Sequence, residues 1–267
     1  MLRPLSILLK KICIEFKTTF IILNFMRSNI GVDLYKLSTL KFLGRFINMV
    51  VMFLPLKAFL ILSGVSQIGY LHYVEDILGK KLYIISIVLI TIGLYIINVF
   101  LQVYSGRLLN KQSTKFDKSF YDFEKFQLNK KFFISSHILL INFLSDCLLV
   151  FICALIFFFL SIPYACIFLF LLLVYIIVIK YMVFIDNKFS FLQKINLDES
   201  QILAISNGVF YLAIFIALFF VFIYIGLHVY SAILILLLSR LSNGSIKSIM
   251  IYLNKISKNI VTYKLNE

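Results

Sequence analysis

Apolar residues in this chain come in long runs with scarcely a charge, and stretches crowded with lysine separate the runs. Six such runs can be marked, at about residues 42 to 64, 82 to 105, 132 to 160, 163 to 185, 207 to 226 and 227 to 241. A helix rises ~1.5 Å per residue, so ~20 apolar residues cross ~30 Å of hydrocarbon. The runs are apolar on every side, whereas barrel strands alternate, so the expected fold class is an all-α, polytopic helical membrane protein with six spans. The last two runs share the short stretch from Asn207 to Leu241, a little less than the ~40 residues two full spans need. Gly226 and His228 supply a turn there, so the expectation is a tight hairpin whose second helix can run on into an amphipathic tail, residues 242–267.

Composition strengthens this reading: 62% of the 267 residues are hydrophobic, and the mean hydropathy is +1.01. Soluble domains are roughly half apolar. A net charge of +14 would suit a nucleic-acid binder, but the lysines flank apolar runs instead of forming one basic face, which excludes that class. Lys and Arg number eight in residues 1–45, seven in 106–131, three in 180–206 and five in 240–267, against two in 65–81. The four rich groups all fall on one side of a six-span path, so the positive-inside rule predicts both termini in the cytoplasm. The Phe-, Ile-, Lys- and Asn-rich composition reads as AT-rich codon usage, and the expected location is a bacterial cytoplasmic membrane. Before the spans, residues 1–41 interleave apolar positions with Lys10, Lys11, Glu15 and Lys17, the pattern of a helix lying in the membrane interface followed by a linker.

Motifs for chemistry are scarce. The chain has no GxxxxGK[ST] loop, no HExxH pair and no GxSxG elbow, so it is expected not to be an enzyme and to hold no cofactor or metal of its own. Cys13, Cys147, Cys153 and Cys166 lack CxxC spacing and read as small buried hydrophobes. His72, His137 and His228 sit in separate segments and read as packed or interfacial side chains.

Two intramembrane groups stand out as candidates for a substrate pathway. Asp146 lies in INFLSDCLLVF near the middle of the third span, where an unpaired carboxylate costs several kcal/mol, and Asn142 shares its helical face. In the first span, FLPLKAFLILSG places Lys57 two residues after Pro55, which favours a kinked helix with a cation reaching toward the outer surface. A Lys57–Asp146 pair would bring these two features together. Two polar loops, Arg107–Lys131 and Asp186–Ile202, offer contacts to a partner. Phe116, Phe120, Phe123 and Phe126 recur at helical spacing in the first, and Asn196 with Glu199 forms a capping pattern in the second.

Six spans, an interfacial N-terminal segment, two polar loops and an amphipathic tail resemble the transmembrane domain of ATP-binding-cassette exporters. FLPLKAFLILSG is similar to the proline-containing first helix of such permeases. SAILILLLSRLSNGSIKSIMIYLNKI, Ser231 to Ile256, is similar to their sixth helix leaving the membrane. The resemblance implies a permease subunit of an exporter without its own nucleotide-binding domain, in which two copies, or this chain and a second permease, form a translocation pathway. ATP would be used by a separate P-loop ATPase docked on the Phe116–Phe123 stripe and the Asn196–Glu199 segment. Loops of about 20 to 26 residues are shorter than the family's usual pattern, which leaves room for a relative that no longer uses ATP. Two other readings remain: a non-catalytic assembly subunit of a larger membrane complex, and an enzyme on lipid-linked substrates using Asp117, Asp122 and Glu124.

Overall fold

The computed structural model describes residues 33–63, 77, 79–119, 130–184 and 199–264. Among them there is no strand, and six long helices follow in order: α1 (Asp33–Leu62), α2 (Lys80–Ser119), α3 (Lys130–Leu160), α4 (Ile162–Phe184), α5 (Glu199–Ile225) and α6 (Val229–Lys264). All six contain a stretch long and apolar enough to cross a membrane, and the chain is an integral membrane protein. The interfacial helix expected before residue 33 lies outside the described residues, as do Phe120, Phe123, Phe126 and Asn196. Phe116 falls within α2 and Glu199 opens α5, but their side chains are also outside the described set.

Helix boundaries follow from local chemistry. Gly226 ends α5 with φ 74°, a left-handed conformation that costs a side-chain-bearing residue and suits glycine. Three residues later, at Val229, α6 begins, so the 207–241 stretch is the hairpin expected from its length. Beyond Leu241 α6 continues as one helix to Lys264, running on into the amphipathic segment that follows the sixth apolar run. A single residue, Ser161, parts α3 from α4, and its hydroxyl accepts the Tyr164 N–H at 3.4 Å as a helix cap.

Despite that short link the chain turns back. Asp146 of α3 is hydrogen-bonded by Ser245 of α6, and the Tyr164 hydroxyl of α4 meets Ser239 of α6 at 2.6 Å. An unbroken helix from 146 to 164 would travel about 27 Å, yet the partners on α6 lie only about 9 Å apart along its axis.

Packing runs in a chain of neighbours. α2 lies on α1, α1 on α3, α3 on α6, α6 on α5 and α5 on α4. The main core joins α3, α4 and α6 around Phe157, Tyr164, Phe168, Ile235 and Leu238. Phe157 meets Tyr164 and Phe168 edge-to-face at centroid distances of 5.1 and 4.9 Å, a favoured aromatic geometry. Elsewhere α2 turns Leu89, Phe100, Tyr104 and other large apolar side chains outward, as a lipid-facing helix must. Lipid is as apolar as leucine, so helices hold together by close packing and polar bonds instead of by escape from water.

The Tyr164–Ser239 bond is one such link, and both groups are buried. Ser239→Ala is expected to lower stability by about 1–2 kcal/mol, because it strands a buried hydroxyl. Adding Tyr164→Phe should recover most of that loss in a detergent melting curve. A double variant no more stable than Ser239→Ala would show that the bond contributes little.

Candidate functional site

α1 and α3 carry a ladder of polar contacts. Four residues apart on α1 stand Lys41 and Arg45, and four apart on α3 stand Asn142 and Asp146, so each pair lies on one helical face. Lys41 Nζ donates to Asn142 Oδ1 at 2.9 Å, and one turn further Arg45 donates to and ion-pairs with Asp146. Both rungs join residues 101 apart, so α1 and α3 run in the same direction. Six alternating spans require that of the first and third. Ser245 of α6 adds a hydrogen bond to the Asp146 carboxylate, which closes the ladder from the far side.

The two partners of the ion pair are unequally placed. The Asp146 side chain is 2% exposed and that of Arg45 39%. Arg45 therefore reaches an open space while Asp146 is sealed behind it. That space is a groove of about 280 Å³ between α1, α2 and α3, with Lys41, Arg45, Asn48, Gln102, Ser105 and Asn142 supplying its polar lining. Gly44 and two leucines complete the wall. Behind it Asn98 Nδ2 donates to Asn48 Oδ1 at 3.5 Å. Asn98 Oδ1 is buried with no hydrogen-bond partner among the described residues.

Of the sequence candidates, Asn142 and Asp146 are brought together on this ladder, as their spacing indicated. Lys57 is not brought to them. It is 7% exposed and donates to the Tyr83 hydroxyl of α2 at 2.9 Å, beside Ala58 and Ile61. Its amine lies 5.4 Å from the Tyr83 ring centre, close to the sum of that bond and the ring-centre-to-oxygen distance. The ammonium thus sits near the ring plane at the hydroxyl, and the contact is a hydrogen bond, not a cation over a ring face. The expected outward reach of Lys57 is replaced by this internal bond, and the carboxylate it was matched with belongs to Arg45.

Lys41 and Arg45 themselves were counted among the Lys and Arg of residues 1–45, as charges at the cytoplasmic edge of the first span. α1 in fact begins at Asp33, with an acidic residue in its first turn, which carries both cations onto the helix that packs on α3. The signal that could have found them is the shared four-residue spacing of Lys41/Arg45 and Asn142/Asp146. Chemically, the ladder presents two cations and one carboxylate, so the groove is cationic and lined by amide and hydroxyl groups. Among the described residues no group of three or more His, Cys, Asp or Glu is placed to hold a metal ion. No protein-family model, curated protein or solved structure matches this chain.

Proposed function

We propose that the chain is the permease subunit of a membrane exporter, driven by a separate ATPase subunit, with the α1–α2–α3 groove as part of the substrate pathway. The observation that carries this reading is the groove itself: a polar, cationic recess between helices otherwise built for lipid. Polar groups inside a membrane are costly and collect where a solute must pass. Two copies, or this chain with a second permease, would complete the pathway. The orientation proposed is cytoplasmic for both termini, in a bacterial inner membrane. The start of α1 and the described C-terminal part of α2 are rich in Lys and Arg, with Lys36, Lys41, Arg45, Arg107 and Lys111, which supports that orientation. α6, continuous from Val229 to Lys264, is long enough to leave the membrane toward a partner.

A gentle-detergent purification of the tagged chain from its own membrane tests this. A stoichiometric P-loop ATPase is the expected companion. Phe120→Ala with Phe123→Ala should weaken its retention by about tenfold, the effect of ~1.4 kcal/mol, with membrane insertion unchanged. Unaltered retention would remove the Phe stripe as the docking point, and the lack of any ATPase would overturn the reading.

One observation favours the alternative, a non-catalytic assembly subunit. Asp146 does not line the groove and ties three helices together from within, as a structural staple would. Transport that survives Asp146→Leu would take that residue out of the pathway. A large stable complex without an ATPase would favour the assembly role.

A further inference from the structure

The groove's charge is not balanced. Among the described residues Lys41 and Arg45 face one carboxylate, Asp146, while the partner Lys41 holds most closely, Asn142 Oδ1, is neutral. An ammonium has three donors and a guanidinium five, so among the described residues one bond from Lys41 and the Asp146 pairing of Arg45 leave donors on both. The Arg45 side chain is 39% exposed and lines the groove. Beside these two cations stand the amides of Asn48 and Gln102, and the Ser105 hydroxyl, which already donates to the Gln102 carbonyl at 2.9 Å. Adjacent cationic donors with neutral amides around them are the arrangement that recognises a phosphate oxyanion.

Size and surroundings narrow the ligand. A recess of about 280 Å³ is at the small end for ligand pockets and takes a headgroup, not a lipid tail. The α2 surface beside it is apolar and outward-facing, with Phe100, Val103 and Tyr104 exposed. A chain attached to a phosphate in the groove would lie along that surface. Gly44 leaves room in the wall: among the described residues, the one neighbour within 4 Å of a Cβ placed there is Asn98 Oδ1, at 3.6 Å. That oxygen is a buried acceptor with no hydrogen-bond donor among the described residues.

We propose that the groove binds a phosphate oxyanion between Lys41 Nζ and the Arg45 guanidinium. The phosphate is that of an anionic amphiphile's headgroup or a free phosphate ion. The inference rests on the permease reading only for the role of this ligand as cargo, since binding is measured without transport.

The test uses the full chain in mild detergent, with dioctanoyl-phosphatidylglycerol, dioctanoylglycerol and inorganic phosphate as separate probes in an equilibrium binding titration. The phosphatidylglycerol is expected to bind and the phosphate-free dioctanoylglycerol is not. Lys41→Gln and Gly44→Leu should each weaken binding by about tenfold, the second by filling the recess. Lys41→Arg should restore it, and Arg240→Gln, an exposed cation on α6, should leave it unchanged. Inorganic phosphate that binds with the same dependence on Lys41 and displaces the amphiphile identifies the free ion as a sufficient ligand. Amphiphile binding that phosphate does not displace assigns the site to a lipid headgroup. Equal binding by the wild type and by monodisperse Lys41→Gln and Gly44→Leu would overturn the proposal, as would dioctanoylglycerol binding as tightly. Binding with no ATP-dependent flux in proteoliposomes that also hold the co-purified ATPase would overturn the permease reading alone.

Discussion

Arg45→Met is expected to destabilise the protein by about 3–4 kcal/mol, whereas Asp146→Leu should cost markedly less. The asymmetry follows from exposure. Removing Arg45 strands a carboxylate whose side chain is 2% exposed, lying well inside the span that starts at His137. The loss is capped at about 4 kcal/mol, the cost at pH 7 of protonating a carboxyl group of ordinary pKa ~3.9. Removing Asp146 instead leaves an Arg45 side chain already 39% exposed, whose long flexible stem can turn its charge toward the groove opening. The double variant, with both charges gone and apolar side chains in their place, should regain most of the stability lost in Arg45→Met, because an apolar pair desolvates nothing. With no tryptophan in the chain, far-ultraviolet circular dichroism in detergent is the suitable melting probe. Equal losses in the two single variants, or a double variant as unstable as Arg45→Met, would show that the pair is not the internal staple described.

Phe157→Ala is the second large effect expected, about 3 kcal/mol, and its contrast is Phe159→Ala, which should leave the melting curve unchanged. The two phenylalanines are two residues apart on α3. Phe157 is wholly buried between Tyr164 and Phe168, and Phe159 is 89% exposed toward lipid. In a soluble core the cost of Phe→Ala would include transfer from water. Within a bilayer that term largely vanishes, so the cavity and the lost aromatic contacts carry the effect. A comparable loss at both positions would mean that α3 presents a different face to α6 and α4.

Much of this was legible in the sequence. Six runs gave six helices, and the short 207–241 stretch with Gly226 gave the hairpin, because span length is set by hydrocarbon thickness and few residues other than glycine end a helix with φ 74°. Asn142 and Asp146 were legible as one face because four residues make about one helical turn. The start of α1 at Asp33 was less so: hydropathy weighs Lys36, Lys41 and Arg45 as a boundary, while the helix needs only satisfied backbone bonds and a partner for each charge. Lys57 was misjudged for a similar reason, since a hydroxyl from Tyr83 on the neighbouring helix offers the amine an internal partner and removes the need to reach the surface.

By itself the sequence determined the kind of protein this is: all-helical, membrane-embedded and without a phosphate loop of its own, because hydrophobic run length and local motifs are properties of contiguous residues. Only the tertiary structure decided which charges meet. Asp146 pairs with Arg45 and not with Lys57, and Lys41 and Arg45 line a groove with Gln102 and Ser105, because these contacts join residues tens of positions apart. Their geometry depends on which helices lie side by side and at what level, and no run of adjacent residues encodes that alone.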